Sequence, residues 1–420
     1  MRKKFVGLLA LAALSLAACG GGGGGGAAGG SVIPQSGPKP VTSSSPPPSG
    51  GSSPQPHATA TPTPHAVSTP TPQGGATPTP GPSASPSPHG TPTTSPTATP
   101  SPAPTSTPVQ SQKIPVPSAG HAYFGAYVNL TNCQGCLQQI ETDTETMESS
   151  LGRTFAIHNH YYDFASLNTA KLATDPGITA DLAKARYPMI SWRCDVTLHQ
   201  IIGGSEDSII ENAALALKGL HTPVMLRFCW EFNGGPWMCT TAPCPNRFAP
   251  NLFDQTYSTQ QKGQEFQQAW QHIYTLFQME GATNVSFFFC PDGSPSQGKM
   301  RIVYSYPGAS YVDWKGFDAY DTTNVGLYAT YARHYATMTS FGDNVPIMIG
   351  ETNERYQNGA PWTQMQYYKD EVSYIQSTFP QIQAVSLFIG TNPNTGDNWM
   401  PDSSGMTQLP IWAHNAAFQF

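Results

Sequence analysis

The sequence predicts a (β/α)8 TIM barrel over residues 118–420, preceded by a long tract that cannot form a core. Three observations predict it. Eight short apolar, strand-like runs begin near Tyr123, Thr154, Tyr187, Pro223, Val285, Tyr311, Val345 and Ile382. Most recur at intervals of about 30–40 residues, room for a strand, a helix and two connections. A chain on the order of 300 residues also suffices for one large α/β core.

The tract ahead of the barrel divides in two. Residues 1–19 read as an export signal, with Arg2, Lys3 and Lys4 as the basic part, Phe5 to Leu14 apolar, and Leu16-Ala-Ala-Cys19 as the cleavage box. The apolar run is shorter than the about 20 residues of a spanning helix. A cysteine directly after small residues resembles the lipobox of bacterial lipoproteins. That resemblance implies acylation of Cys19, a membrane partner through the lipid anchor, and a place at the cell envelope or surface. The alternative is an ordinary secretory signal that contains a cysteine. Residues 20–117 are Gly, then Pro, Thr, Ser and Ala, a composition that buries nothing. This linker is expected to be disordered yet extended, at about 3.1 Å per residue, with a reach on the order of 200–300 Å.

Charge and cysteines narrow the function. All 26 acidic residues lie beyond Ser118, whereas Arg2, Lys3, Lys4, Lys39 and Lys113 precede it, so the barrel is more acidic than the net −6 of the chain. Such a surface excludes nucleic acid as the expected partner. All eight tryptophans are also in the barrel. Cys239 and Cys244 share a polar loop and are the preferred disulfide. Cys133 and Cys136 form a Cys-x-x-Cys, read as a local disulfide before zinc because no second pair accompanies it. Cys194, Cys229 and Cys290 lie in apolar runs and read as small buried residues.

Helical patterns at Ile178–Arg186, Asp207–Leu220, Gly263–Met279, Leu327–Thr339 and Thr363–Thr378 fill the gaps between strands. In the third of these, Phe266, Trp270, Ile273, Tyr274 and Phe277 repeat at helical spacing. Active sites of such barrels lie at the carboxyl ends of the strands. Two glutamates end strand runs there: Glu231 after the fourth and Glu351 in the seventh. A carboxylate beside an apolar core is expensive to hold, so the pair is read as the two acids of a glycosidase. The bland reading is two strand-end carboxylates meeting water or an arginine.

Leu226-Arg-Phe-Cys-Trp-Glu-Phe-Asn-Gly234 with Trp237 resembles the fourth-strand motif of glycoside hydrolase family 26, the β-mannanase family. Tyr306–Tyr320 resembles its sixth-strand region, and Val345-Pro-Ile-Met-Ile-Gly-Glu351 its seventh. The similarity spans about Gly120 to His414. It implies a retaining endo-β-glycosidase acting on an extracellular polysaccharide, with Glu351 as nucleophile, Glu231 as acid/base and Tyr320 as partner of the nucleophile. It implies neither cofactor nor metal, and the protein is expected to be a monomer. One residue departs from the family, which carries histidine where this chain has Trp230. An indole donates one hydrogen bond and accepts none. Mannose and glucose differ at the 2-hydroxyl that this neighbour contacts, so β-glucan and xylan stay open beside mannan.

Further residues are expected to hold substrate. Arg227 stands four before Glu231 as substrate contact or ion-pair partner, and Asn233 follows within the motif. Trp192, Trp237 and Trp399 offer aromatic faces for sugar rings, while Trp314, Trp270 and Trp412 read as packing. His158 and His160 close the second strand on one face, for substrate bonding, packing, or a metal pair. Asp292 after the fifth run and Asp318 before Tyr320 are read as lining groups. Two other functions compete: a tethered carbohydrate-binding protein without catalysis, and a metal-dependent deacetylase using His158 and His160.

Overall fold

The apolar runs become parallel strands because each is covered on both faces, which selects near-continuous hydrophobic sequence over alternation. The computed structural model describes residues 113–234, 249, 251–293, 302–356, 362–392 and 396–418. β1 (Tyr123–Val128) leads through α1 (Leu137–Leu151) to β2 (Ile157–Tyr162), and α2 (Thr169–Ala173) and α3 (Pro176–Lys184) lead to β3 (Tyr187–Trp192). α4 (Leu198–Ile202) and α5 (Asp207–Lys218) precede β4 (Val224–Phe228), and α6 (Thr259–Met279) precedes β5 (Val285–Phe289). β6 (Trp314–Asp321), α7 (Gly326–Thr339), β7 (Ile347–Glu354), α8 (Trp362–Ser377), β8 (Ile382–Ile389) and α9 (Ser403–Ala413) complete the chain. The strands follow one another around a closed barrel, β8 pairing with β1 from Tyr123↔Ala384 to Val128↔Ile389.

All eight runs enter the sheet, those near Thr154 and Tyr311 slightly later, at Ile157 and Trp314. α6 starts at Thr259, ahead of the periodic stretch, because Ser258 and Gln261 form a capping box that satisfies the first free amides. α1 carries a polar buried face of Glu141, Asp143, Thr144 and Glu148 beside Met147 and Leu151. Glu141 and Glu148 serve Arg186, at 3.0 and 2.6 Å, and Arg186 also reaches Asp181 on α3 at 3.0 Å. A helix whose inner face is ionic gives no hydrophobic stripe to read.

Strand alternation sorts side chains into two layers. Met189, Met225, Phe288, Trp314 and Met348 fill the barrel interior. The outward residues pack on the helices in two larger clusters, which include Trp192, Trp270 and Trp412. Ile114, from ahead of the first strand, joins the interior with 3% of its surface exposed. Its amide donates to Ser286 Oγ at 3.1 Å, and Lys113 pairs with Asp313 at 2.7 Å. Packing thus reaches back to Lys113, ahead of the composition boundary at Ser118.

Two disulfides are present among the described residues. Cys133–Cys136 closes the loop after β1. Cys194–Cys229 joins the segment after β3 to the end of β4, which corrects the reading of both as merely small buried residues. They are 35 apart in sequence, and only strand pairing brings them together. Cys290 is a buried free thiol. Cys19, Cys239, Cys244, Trp237 and the linker lie outside the described residues.

Candidate active site

At the carboxyl end of β4 the chain leaves the extended conformation abruptly. Cys229 and Glu231 both take left-handed backbone, with φ of 50° and 56°, a region that residues with a Cβ enter seldom and that persists where the surroundings impose it. The turn is held by hydrogen bonds from Cys229 N to Trp192 O at 2.8 Å and from Glu231 N to Cys290 O at 2.9 Å. The result delivers Glu231 to the cavity rim.

β7 delivers Glu351 by a different device. Met348 faces the interior and Ile349 faces the helices, so strict alternation would turn Glu351 outward. The register with β6 slips instead, from Phe317↔Ile349 to Asp318↔Glu351, making Gly350 an extra residue. This bulge turns Glu351 inward. Gly350 is needed there, since a Cβ would lie 2.5 Å from Asp318 Oδ1 and 2.6 Å from Cys290 Sγ.

The two glutamates line one cavity of about 390 Å³. One carboxylate oxygen each from Glu231, Asp318 and Glu351 lie within 4.8 Å of one another. Glu351 is enclosed by donors: Tyr161 Oη at 2.7 Å, Tyr320 Oη at 2.6 Å, and the Arg227 guanidinium. Arg227 is fully buried and also binds Asp318 at 2.9 and 3.0 Å and Ser191 Oγ at 2.9 and 2.7 Å. Burial alone would raise the Glu351 carboxyl. The Arg227 charge and the bonds from Tyr320, Arg227 and Tyr161 outweigh it, leaving Glu351 below the usual carboxylate range. Asp318 goes the other way, lifted by burial and by Glu351 and Glu231 against the pull of Arg227. Burial, then the Glu351 charge, push the phenols of Tyr161 and Tyr320 up, so both remain O–H donors.

Trp230 lines the cavity, its ring 5.3 Å from that of Tyr161 and 5.3 Å from the Arg227 guanidinium carbon. Tyr161 is the residue that sequence reasoning missed. His158 and His160 drew attention on the same strand, but alternation turns them toward the helices and turns Asn159 and Tyr161 inward.

Several expected contacts are corrected. Trp192 has none of its surface exposed, stacks on Phe164 at 4.6 Å and donates to Phe164 O at 3.0 Å, so it offers no face to a sugar. It is an outward residue of β3. Asn233 spends both amide atoms on the backbone of Asp292, at 3.0 and 2.7 Å, and braces the loops after β4 and β5. Asp292 is thereby held beside the site rather than in the cavity lining. Trp399 is 4% exposed with its ring 4.4 Å from Tyr320, so it backs that tyrosine. Fully buried His158 bonds Asp181 at 2.8 Å, away from the cavity. His160 bonds Asp181 at 2.7 Å and does reach the cavity wall. The His158–His160–Asp181 group has metal-ligand spacing. Asp181 is already shared by both rings and Arg186, however, and a guanidinium beside it opposes a cation.

Residues 195–385 match the sequence profile of Glycosyl hydrolase family 26. The barrel is a glycosyl hydrolase family 26 domain. Endoglucanase H of Acetivibrio thermocellus is 26% identical over 199 residues, 44% of this chain and 20% of that protein. The chain thus spans about a fifth of the length of that curated relative. Among solved structures, the catalytic domain of a family 26 endo-β-1,4-mannanase from Bacillus sp. JAMB-750 superposes with a TM-score of 0.52 at 15% identity, over 71% of this chain and 86% of that one. A Bacillus subtilis mannanase gives 0.48 at 17%, over 71% and 86%. In this family 26 domain the matched segment contains both Glu231 and Glu351.

Proposed function

We propose that the protein is a retaining, endo-acting β-glycoside hydrolase with Glu351 as nucleophile and Glu231 as general acid and base. The observation that carries this reading is the approach of the two carboxylates within 4.8 Å across one cavity. Retaining enzymes need about 5–5.5 Å between the carboxyl groups, and inverting ones about 6.5–9.5 Å to admit a water. Glu351, held ionised by Arg227, Tyr161 and Tyr320, attacks the anomeric carbon as Glu231 gives its proton to the departing oxygen. Glu231 then takes a proton from water, which displaces Glu351 and returns the sugar with its original configuration. Arg227 and the tyrosines also fix the orientation of the Glu351 carboxylate, and Trp230 lines the same cavity as Glu231.

β-Mannan is the first substrate to test, since the Bacillus sp. JAMB-750 domain is described as an endo-β-1,4-mannanase. β-Glucan is the second, because one relative is named an endoglucanase and Trp230 stands where the family carries the histidine that contacts the 2-hydroxyl. Digestion of mannan, mixed-linkage glucan and xylan by wild type and Glu351→Ala decides it. Oligosaccharide release by the wild type alone supports the reading. Binding without release by the wild type replaces it with a carbohydrate-binding role. We further propose that Cys19 carries the lipid anchor at the cell envelope, tested by loss of radiolabelled palmitate from Cys19→Ser.

A further inference from the structure

The Cys194–Cys229 disulfide takes no part in the chemistry above, yet it ends two residues from Glu231. Both cysteines are fully buried. Cys229 is itself left-handed, at φ 50°, and begins the turn in which Glu231 follows at φ 56°. Neither is a glycine, so this backbone is disfavoured unless surrounding bonds impose it. Hydrogen bonds from Cys229 N to Trp192 O, from Glu231 N to Cys290 O and from Gly234 N back to Glu231 O at 3.0 Å hold it, together with the Asn233 brace to the Asp292 backbone. To these the disulfide to Cys194 adds a covalent constraint at the first residue of the turn. Cys194 is in turn fixed by β3, which pairs with β4 up to Trp192↔Phe228.

We infer that the Cys194–Cys229 disulfide is a positioning device for Glu231, keeping its carboxyl aimed at the leaving oxygen. The inference rests on the acid/base reading of Glu231. It also ties activity to compartment. Closing the bond converts two thiols to one disulfide, releasing two protons and passing two electrons to a thiol–disulfide oxidant. Oxidative folding would therefore set the acid in place. Glu351, held by side chains of β2, β4 and β6, does not depend on that bond.

The test separates proton donation from general damage. Turnover of an oligosaccharide needs a proton on the leaving oxygen, whereas a dinitrophenyl glycoside of the same sugar departs without one. Cys194→Ala/Cys229→Ala is expected to lose about tenfold or more in kcat/KM on the oligosaccharide and little on the aryl glycoside. Glu231→Ala should show the same selectivity more strongly. In Cys194→Ala/Cys229→Gly, where glycine accepts the left-handed backbone, oligosaccharide activity should exceed that of the double alanine variant. Equal losses on both substrates, or none on either, overturn the inference. If Glu231→Ala lacks the selectivity, the acid/base reading falls and takes the inference with it. Should the variants not fold, phosphine-reduced wild type is assayed on the same two substrates, and the same outcomes decide.

Discussion

Glu231 and Glu351 rise from β4 and β7 and bring carboxylate oxygens within 4.8 Å of each other. In the proposed reaction Glu351, and not a water on the far side of the sugar, makes the first displacement. The expected product therefore keeps the configuration of the bond cleaved. Proton NMR of a fresh digest should show the β anomer first, with the α anomer appearing only by mutarotation. An α anomer at the outset contradicts the assignment.

Tyr161 and Tyr320 each give Glu351 a hydrogen bond that favours its ionised form. Because the folded-state affinity of Glu351 for a proton is lowered, the acidic limb of kcat/KM should lie below the ordinary glutamate value of about 4.3. Tyr320→Phe or Tyr161→Phe removes a bond to the charged form, so the limb should move to higher pH. A hydrogen bond to a charge is worth about 1.5–3 kcal/mol, or about one to two pH units. A pH–rate profile unchanged in both variants would show that the phenols do not tune the nucleophile.

Gly350 is the extra residue that turns Glu351 inward, and it has no room for a methyl group. Gly350→Ala should push apart Asp318, Cys290 and Arg227. Activity is expected to fall at least about 100-fold, since small misplacements of a reacting group carry costs of that order. Urea unfolding should register a loss of about 1–3 kcal/mol from overpacking. Near-wild-type turnover would mean that the bulge is dispensable.

Trp192 and Trp230 should behave oppositely. Trp192 is packed between β3 and the helices, so Trp192→Ala should cost about 3–5 kcal/mol of stability in urea with little change in KM. Trp230 lines the cavity, so Trp230→Ala should raise KM or lower kcat more than it destabilises. A KM effect confined to Trp192→Ala reverses this division.

The strands were legible because parallel barrels bury both faces, leaving runs such as Val224–Phe228 unbroken by charge except at Arg227. The glutamate pair was legible for the reverse reason: carboxylates end such runs only at a cost. Details that depend on backbone irregularity were hidden. Alternation counted from Ile349 points Glu351 the wrong way, and only the bulge at Gly350 corrects it. His158 and His160 resemble site residues in type, but their position in the pleat sends them into the Asp181 and Arg186 network. Trp192 fails as a sugar platform by the same parity. α1 gave no stripe because its inner face answers a buried arginine, and the Cys194–Cys229 pair becomes adjacent only once β3 and β4 align.

Ile114 stoppers the floor of the barrel from a stretch whose neighbours in sequence are prolines and serines. A recombinant boundary or protease cut at Ser118, where composition changes, would uncork that floor and wet Met189, Met225 and Trp314. Linker tract and barrel are therefore not cleanly separable parts: the last residues of one complete the core of the other.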